Sequence, residues 1–178
     1  MDINKFRPKN STYLPIDYGF KAWAFDPSSA PNSYTPTSGA SFAIRLKIDK
    51  PELITGVKII CSGTPTLLTG AYFALYQDNT KLIQSSDRTS DFSTIGGKTL
   101  PFTAPVSVQK GYIDVLVWFT ATTTCPNVAR GSALSGLGDF LTGTDKRYAL
   151  TDTGLTTTAP STLGTKTSLG AAVWLAVY

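Results

Sequence analysis

Residues 72–86 read YFALYQDNTKLIQSS and residues 112–119 read YIDVLVWF, and these two stretches decide the fold. In the first, the runs YFALYQ and KLIQSS flank Asp78-Asn79-Thr80. Asp and Asn bond their own backbone, and Asn tolerates positive φ, so a hairpin is expected here. In the second, Ile113, Val115, Val117 and Phe119 fall on one face of a strand, and Leu116 and Trp118 fall on the other. A strand that is apolar on both faces is covered on both. The N-terminal segment, a loop or another subunit would supply the second cover.

Working outward, Phe42, Ile44, Leu46 and Ile48 alternate with Ala43, Arg45, Lys47 and Asp49, the pattern of a strand with one wet face. VKIICS at 57–62 is a strand stopped by Gly63 and Pro65, and Ala71, Phe73 and Leu75 alternate with Tyr72, Ala74 and Tyr76. A polar loop over 85–98, a short strand near 99–103, a reset at Pro105 and a turn at Lys110-Gly111 are expected next. Residues 126–165 read as a long irregular segment, with at most one helical turn at Ala133–Leu141. The closing AAVWLAVY alternates again and is expected inside a sheet. About seven or eight short strands with turn signals every 8–12 residues predict an all-β fold, an antiparallel, jelly-roll-like β-sandwich.

Composition agrees, since Glu52 is the only glutamate among 178 residues, and good helix formers are thinly spread. That length suits one core, assigned to residues 21–178. Residues 1–20 show no periodicity and read as an irregular arm, with Phe6, Tyr13 and Leu14 as isolated apolar points beside Lys5, Arg7 and Lys9. The net charge of +4 comes from scattered single residues, whereas a phosphate-binding surface clusters them, so nucleic acid is not expected as a partner. The N-terminus has no apolar signal region, and no stretch approaches the roughly 20 apolar residues of a membrane helix, so no membrane partner is expected and the protein is read as soluble and cytosol-made.

Chemistry is hard to place. With no histidine, the commonest metal ligand and proton shuttle is missing, and there is no GxSxG for a serine nucleophile. Asp114 is the one carboxylate inside a strand run, and glycoside hydrolysis would need a second at a suitable distance. An ion pair with Lys or Arg is the expected role of Asp114. Asp87 and Asp91 could offer oxygens to calcium, but their spacing matches no loop motif and they read as turn residues. Cys61 and Cys125 lie in no metal or redox pattern, and Cys61 reads as a small buried apolar residue. No cofactor and no enzymatic activity is therefore expected. Sugar contact is the other reading, with Trp23, Tyr34, Tyr76, Phe92 and Tyr148 as candidate aromatic platforms.

The order of several segments resembles a module of tail-associated and capsid-associated structural proteins in tailed phages of actinobacteria. Those segments are AWAFDP at 22–27, ITGVKI at 54–59, LLTGAYFALYQDNTKLIQSSD at 67–87, TAPVSVQKGYIDVLV at 103–117, PNVARG at 126–131 and the terminal AVWLAV. The resemblance covers residues 21–178 and implies a non-catalytic virion component, assembled in the host cytoplasm, whose β-sandwich oligomerises, often as a trimer. Its partners would be copies of itself and a major capsid or tail structural protein. A single sandwich with a short arm suits a capsid decoration or head-fibre subunit; a receptor-binding module for host cell-wall glycan is the alternative. Phe6, Arg7, Tyr13, Leu14, Leu116 and Trp118 are the expected inter-subunit or virion contacts.

Overall fold

A computed structural model describes residues 13–131 and 146–178. They form two antiparallel sheets packed face to face, an all-β sandwich. One sheet has the order β1 (Ala22–Trp23), β12 (Leu175–Val177), β4 (Glu52–Gly63), β9 (Asn127–Arg130), β2 (Asn32–Tyr34), with β7 (Gly96–Val108) on the other side of β4. The second sheet has the order β11 (Thr167–Ser168), β10 (Tyr148–Leu150), β3 (Ser41–Ile48), β8 (Gly111–Thr124), β5 (Thr66–Gln77), β6 (Thr80–Gln84).

The alternation read from the sequence is what packs the two sheets. Phe42, Ile44, Leu46 and Ile48 of β3 meet Ile113, Val115, Val117 and Phe119 of β8 on the inner face, opposite Ile54, Val57 and Ile59 of β4 and Leu175 and Val177 of β12. Each such side chain contributes about 1.5–3 kcal/mol by leaving water. Phe92 reaches this core from the loop after β6, edge-on to Phe119 at 5.0 Å between ring centroids and stacked on Phe73 at 6.2 Å. The hairpin between β5 and β6 forms where expected, with Asp78 (φ 49°) and Asn79 (φ 65°) both left-handed, as a two-residue type I′ turn requires.

Three expectations change. The strands are longer than the sequence pattern suggested: β4 and β5 each have 12 residues, β7 has 13 and β8 has 14. β7 runs through Pro101 and Pro105 because its one strand partner among the described residues is β4, so a missing N–H on the open edge breaks no ladder. Its register slips between Ile54 and Gly56, where Thr55 alone stands opposite residues 102–105. The segment 126–165 is also less irregular than expected, since β9 and β10 lie within it. The helical turn expected at Ala133–Leu141 lies outside the described residues.

The third change concerns the outer face of β8. Leu116 and Trp118 are 0% exposed, packed with Ala43, Tyr72, Ala74 and Tyr76 beneath Leu155, Ala159 and Leu163 of the same chain. Of the three covers considered, the loop is the one found. Leu116 and Trp118 are therefore not contacts open to another subunit in this conformation.

Candidate functional site

The two outer faces of the sandwich are closed by different segments, and the larger apolar exposure lies on one of them. Residues 13–30 cross the first sheet. Pro15–Tyr18 forms a 3-10 turn with Pro at its first position, and Asp17 accepts the Leu14 N–H at 2.8 Å. Gly19 stops the turn at φ 75°, in the left-handed region that glycine enters without strain. Phe20 then packs edge-on to Trp174 at 6.1 Å, and β1 adds itself to β12. Trp174 Nε1 donates to the Phe25 carbonyl at 2.9 Å, so its one polar atom is satisfied.

From that anchor a chain of rings leads outward. Trp23 lies 5.6 Å from Tyr18, and Tyr18 lies 5.7 Å from Tyr13. The outer end is exposed: Tyr13 is 62%, Leu14 46%, Ile16 66% and Tyr18 47% accessible. Single exposed apolar residues are ordinary, but four within six positions form a patch, and patches mark contact surfaces. Leu14, Pro15, Ile16 and Phe20 also line a cleft of about 320 Å³ whose rim holds Lys21, Asp49, Lys50 and Glu52. Glu52 pairs with Lys21 at 3.2 Å and Lys50 at 3.5 Å, and its hydrogen bond to Lys21 holds its carboxyl below the ordinary glutamate value. Tyr13 and Leu14 thus lie together on this surface; Phe6 and Arg7 lie outside the described residues.

The second sheet is crossed by residues 151–166, which form a strap. Four of its carbonyls accept from side chains of the sheet. Trp118 Nε1 donates to the Thr156 carbonyl at 3.0 Å, Gln84 Nε2 to that of Thr157 at 2.6 Å, Lys81 Nζ to that of Ala159 at 2.7 Å and Tyr76 Oη to that of Pro160 at 2.7 Å. In return Ala159 N–H donates to Gln84 Oε1 at 2.8 Å. Burial under this strap raises the Tyr76 phenol well above its ordinary pKa.

At the root of the strap stands Asp114, which is 2% exposed. Arg45 grips its two oxygens through Nε at 3.0 Å and Nη2 at 2.8 Å, and Lys166 Nζ donates to Oδ2 at 2.8 Å. The expected ion pair is found, with a second cation from the strap itself. Both carboxylate oxygens are engaged by charge-assisted bonds, which tie the strap's root to β3 and β8.

The five aromatic residues proposed for sugar contact do not share a surface. Tyr76 and Phe92 are 0% exposed and Tyr148 is 3% exposed, so none of the three offers an open face. This corrects their assignment, because hydrophobic burial in β-sheets uses the same residue types that stack on sugars. Trp23 is half-buried among Tyr18 and Phe20 on the first sheet. Tyr34 meets Phe42 edge-on at 5.7 Å and borders a separate cleft of about 360 Å³ with Ser33, Thr35, Arg130 and residues 169–171.

Asp87 is spent on its own turn, accepting from Ala71 N–H at 3.1 Å, Thr89 N–H at 2.9 Å and the Thr89 hydroxyl at 2.7 Å. Burial pushes its pKa up, but these hydrogen bonds outweigh that and leave it below the ordinary aspartate value. Among the described residues, no three His, Cys, Asp or Glu side chains gather as metal ligands would. Cys61 and Cys125 are buried, and burial raises both thiols above their ordinary pKa, away from reactive thiolate. No helix among the described residues is long and apolar enough to cross a membrane.

Sequence reasoning missed the strap and its locking residues Lys81, Gln84 and Lys166. The available signal was the spacing of Leu155, Ala159 and Leu163 in the Thr-rich run, which sets three apolar side chains against the outer face of β8. Compared with known proteins, the chain matches no family model and no curated protein.

Proposed function

We propose that this chain is a non-enzymatic structural subunit of a phage virion, of the capsid decoration or head-fibre kind, attached through its N-terminal segment. The observation that carries the attachment is the exposed patch of Tyr13, Leu14, Ile16 and Tyr18, held to the sandwich by edge-on and tilted ring contacts. A solvent-exposed apolar patch on a rigid anchor is what a docking subunit needs, since association gains from apolar surface without ordering a loose segment first. The segment order described above supplies the phage context. Self-association as a trimer and contact with a major capsid or tail structural protein belong to the same reading.

Truncation of residues 1–12 alone tests the N-terminal extension while keeping Phe20 on Trp174. The companion variant Tyr13→Ser/Ile16→Ser tests the patch. Incorporation into particles, measured by quantitative mass spectrometry of purified virions, is expected to fall in the patch variant. Undiminished incorporation of both variants defeats attachment through this end. Light scattering that returns only monomer at micromolar concentration defeats the trimer.

Glycan binding keeps one observation in its favour, the cleft beside Tyr34. It predicts a saturable change in tryptophan or tyrosine fluorescence with cell-wall oligosaccharides that Tyr34→Ala removes. A flat titration across several glycans ends that reading.

A further inference from the structure

The strap over the second sheet is bound the way a peptide is bound. Its carbonyls at Thr156, Thr157, Ala159 and Pro160 accept from Trp118, Gln84, Lys81 and Tyr76. Its main chain pairs further along the edge of β6, with Lys81 N–H donating to the Ser161 carbonyl at 2.9 Å and Thr80 bridged to Thr162. Only Ala159 and Leu163 sink fully into the face, at 2% and 6% exposure. Main-chain bonds for affinity and alternate pockets for selectivity are the features of extended-peptide recognition on a sheet. The outer face of β8, β5 and β6 is therefore a groove with an occupant.

The strap is also built to leave as a unit. Its two ends are neighbours, because Leu150 pairs with Thr167 where β10 meets β11. The root is pinned separately from the rest: Ser41 N–H donates to the Asp152 carbonyl at 2.9 Å, and Lys166 binds Asp114. Between these pins the strap forms no helix or strand, and its one internal side-chain bond is the long contact from Gly164 N–H to Asp152 Oδ2 at 3.5 Å. Lifting it breaks its bonds to the groove and one main-chain bond outside it, from the Leu155 N–H to the Gly39 carbonyl at 2.9 Å. A doubled-back loop of this length reaches about 20 Å, more than the roughly 10 Å between packed sheet faces.

We infer that this groove is an exchange site, filled either by the chain's own strap or by the strap of a second copy, so that subunits are linked through residues 153–165. A second copy is the occupant because the groove already fits this segment and a second copy supplies the same atoms. The same bonds form in both arrangements, so concentration decides between them, as in any segment exchange. Each copy giving its strap to the next closes a dimer or a trimer alike. The inference stands on the strap geometry alone, and its failure leaves attachment through Tyr13 to Tyr18 untouched.

Thr80 and Thr162 supply the test, because they are exposed and directly paired across an antiparallel bridge, within the Cα separation a disulfide accepts. Thr80→Cys and Thr162→Cys are made as separate full-length variants, mixed at rising concentration, and oxidised. Native Cys61 and Cys125 are buried and stay silent. Exchange predicts a covalent heterodimer exceeding either homodimer by roughly tenfold or more, because only a strap seated in trans brings these two positions together. Heterodimer no more abundant than the homodimers, or none at all, overturns the inference. The double variant, as an equal mixture of ¹⁴N- and ¹⁵N-labelled chains, is the second measurement. Light–heavy linked peptides that grow with concentration support exchange, and linkage confined to single chains, or no linkage, overturns it.

Discussion

The two covers of the sandwich solve the same problem with different chemistry. Residues 13–30 close the first sheet with a cluster of mostly edge-on and tilted rings, and their outer end remains apolar and exposed. Residues 151–166 close the second sheet with main-chain hydrogen bonds, and their outward side chains, among them Thr156, Thr157 and Thr158, are polar and exposed. A cover that ends in threonine has finished its burial. A cover that ends in Tyr13, Leu14 and Ile16 has not, and that difference separates the surface that completes the fold from the one that is offered outward.

The comparison is most sharply tested under the strap. Trp118→Ala removes a fully buried ring stacked on Tyr72 at 5.2 Å, together with its bond to the strap, and is expected to cost about 4 kcal/mol. Urea denaturation measures that loss, and hydrogen exchange should show residues 155–163 losing protection first. Asp114→Asn leaves Arg45 and Lys166 without their shared anion and should cost about 3 kcal/mol, again by urea denaturation. An equal effect with no change in strap protection would show that Lys166 does not hold the strap.

On the other face, Phe20→Ala cuts the link between the exposed rings and Trp174. A loss of about 2 kcal/mol is expected, below the usual range for a buried Phe because this ring lies at the rim. Differential scanning calorimetry compares it with Trp118→Ala, and a larger loss for Phe20 would reverse the ranking of the two covers.

Acid should act on the sandwich more weakly. The folded-state pKa values of Glu52 and Asp87 both lie below their ordinary values, so the stability they contribute is fully present above about pH 4.5 and is lost as pH falls through the folded values. The melting temperature should therefore fall below that pH, and Glu52→Gln/Asp87→Asn should flatten the fall. Smallest of all in stability, Ile16→Ser should stay within about 0.5 kcal/mol of the parent by urea denaturation. A larger loss would mean that Ile16 belongs to the fold and not to an open surface.

Much of the sandwich was legible because β-structure writes its burial locally. The alternation from Phe42 to Ile48 and from Ile113 to Phe119 states which face is dry, and Asp78-Asn79 states where the chain reverses. Strand length was not legible at Pro101 and Pro105, because whether proline ends a strand depends on whether that strand has a neighbour on its N–H side. The candidate contacts divide along the same line. Trp118 and Tyr76 read as available aromatics, yet their burial depends on a segment some forty to eighty residues away in the chain.

By itself, the sequence determined that both faces of β8 would be dry, that Asp114 would need a cation, and that the chain would fold as a sandwich. Only the tertiary structure decided that the second cover is the chain's own strap, that Lys166 joins Arg45 on Asp114, and that Tyr13 to Tyr18 are left outside. The physical reason is one of range. Periodicity reports the environment a residue requires, but the partner that supplies it is chosen by long-range packing, which local spacing such as that of Leu155, Ala159 and Leu163 does not by itself name.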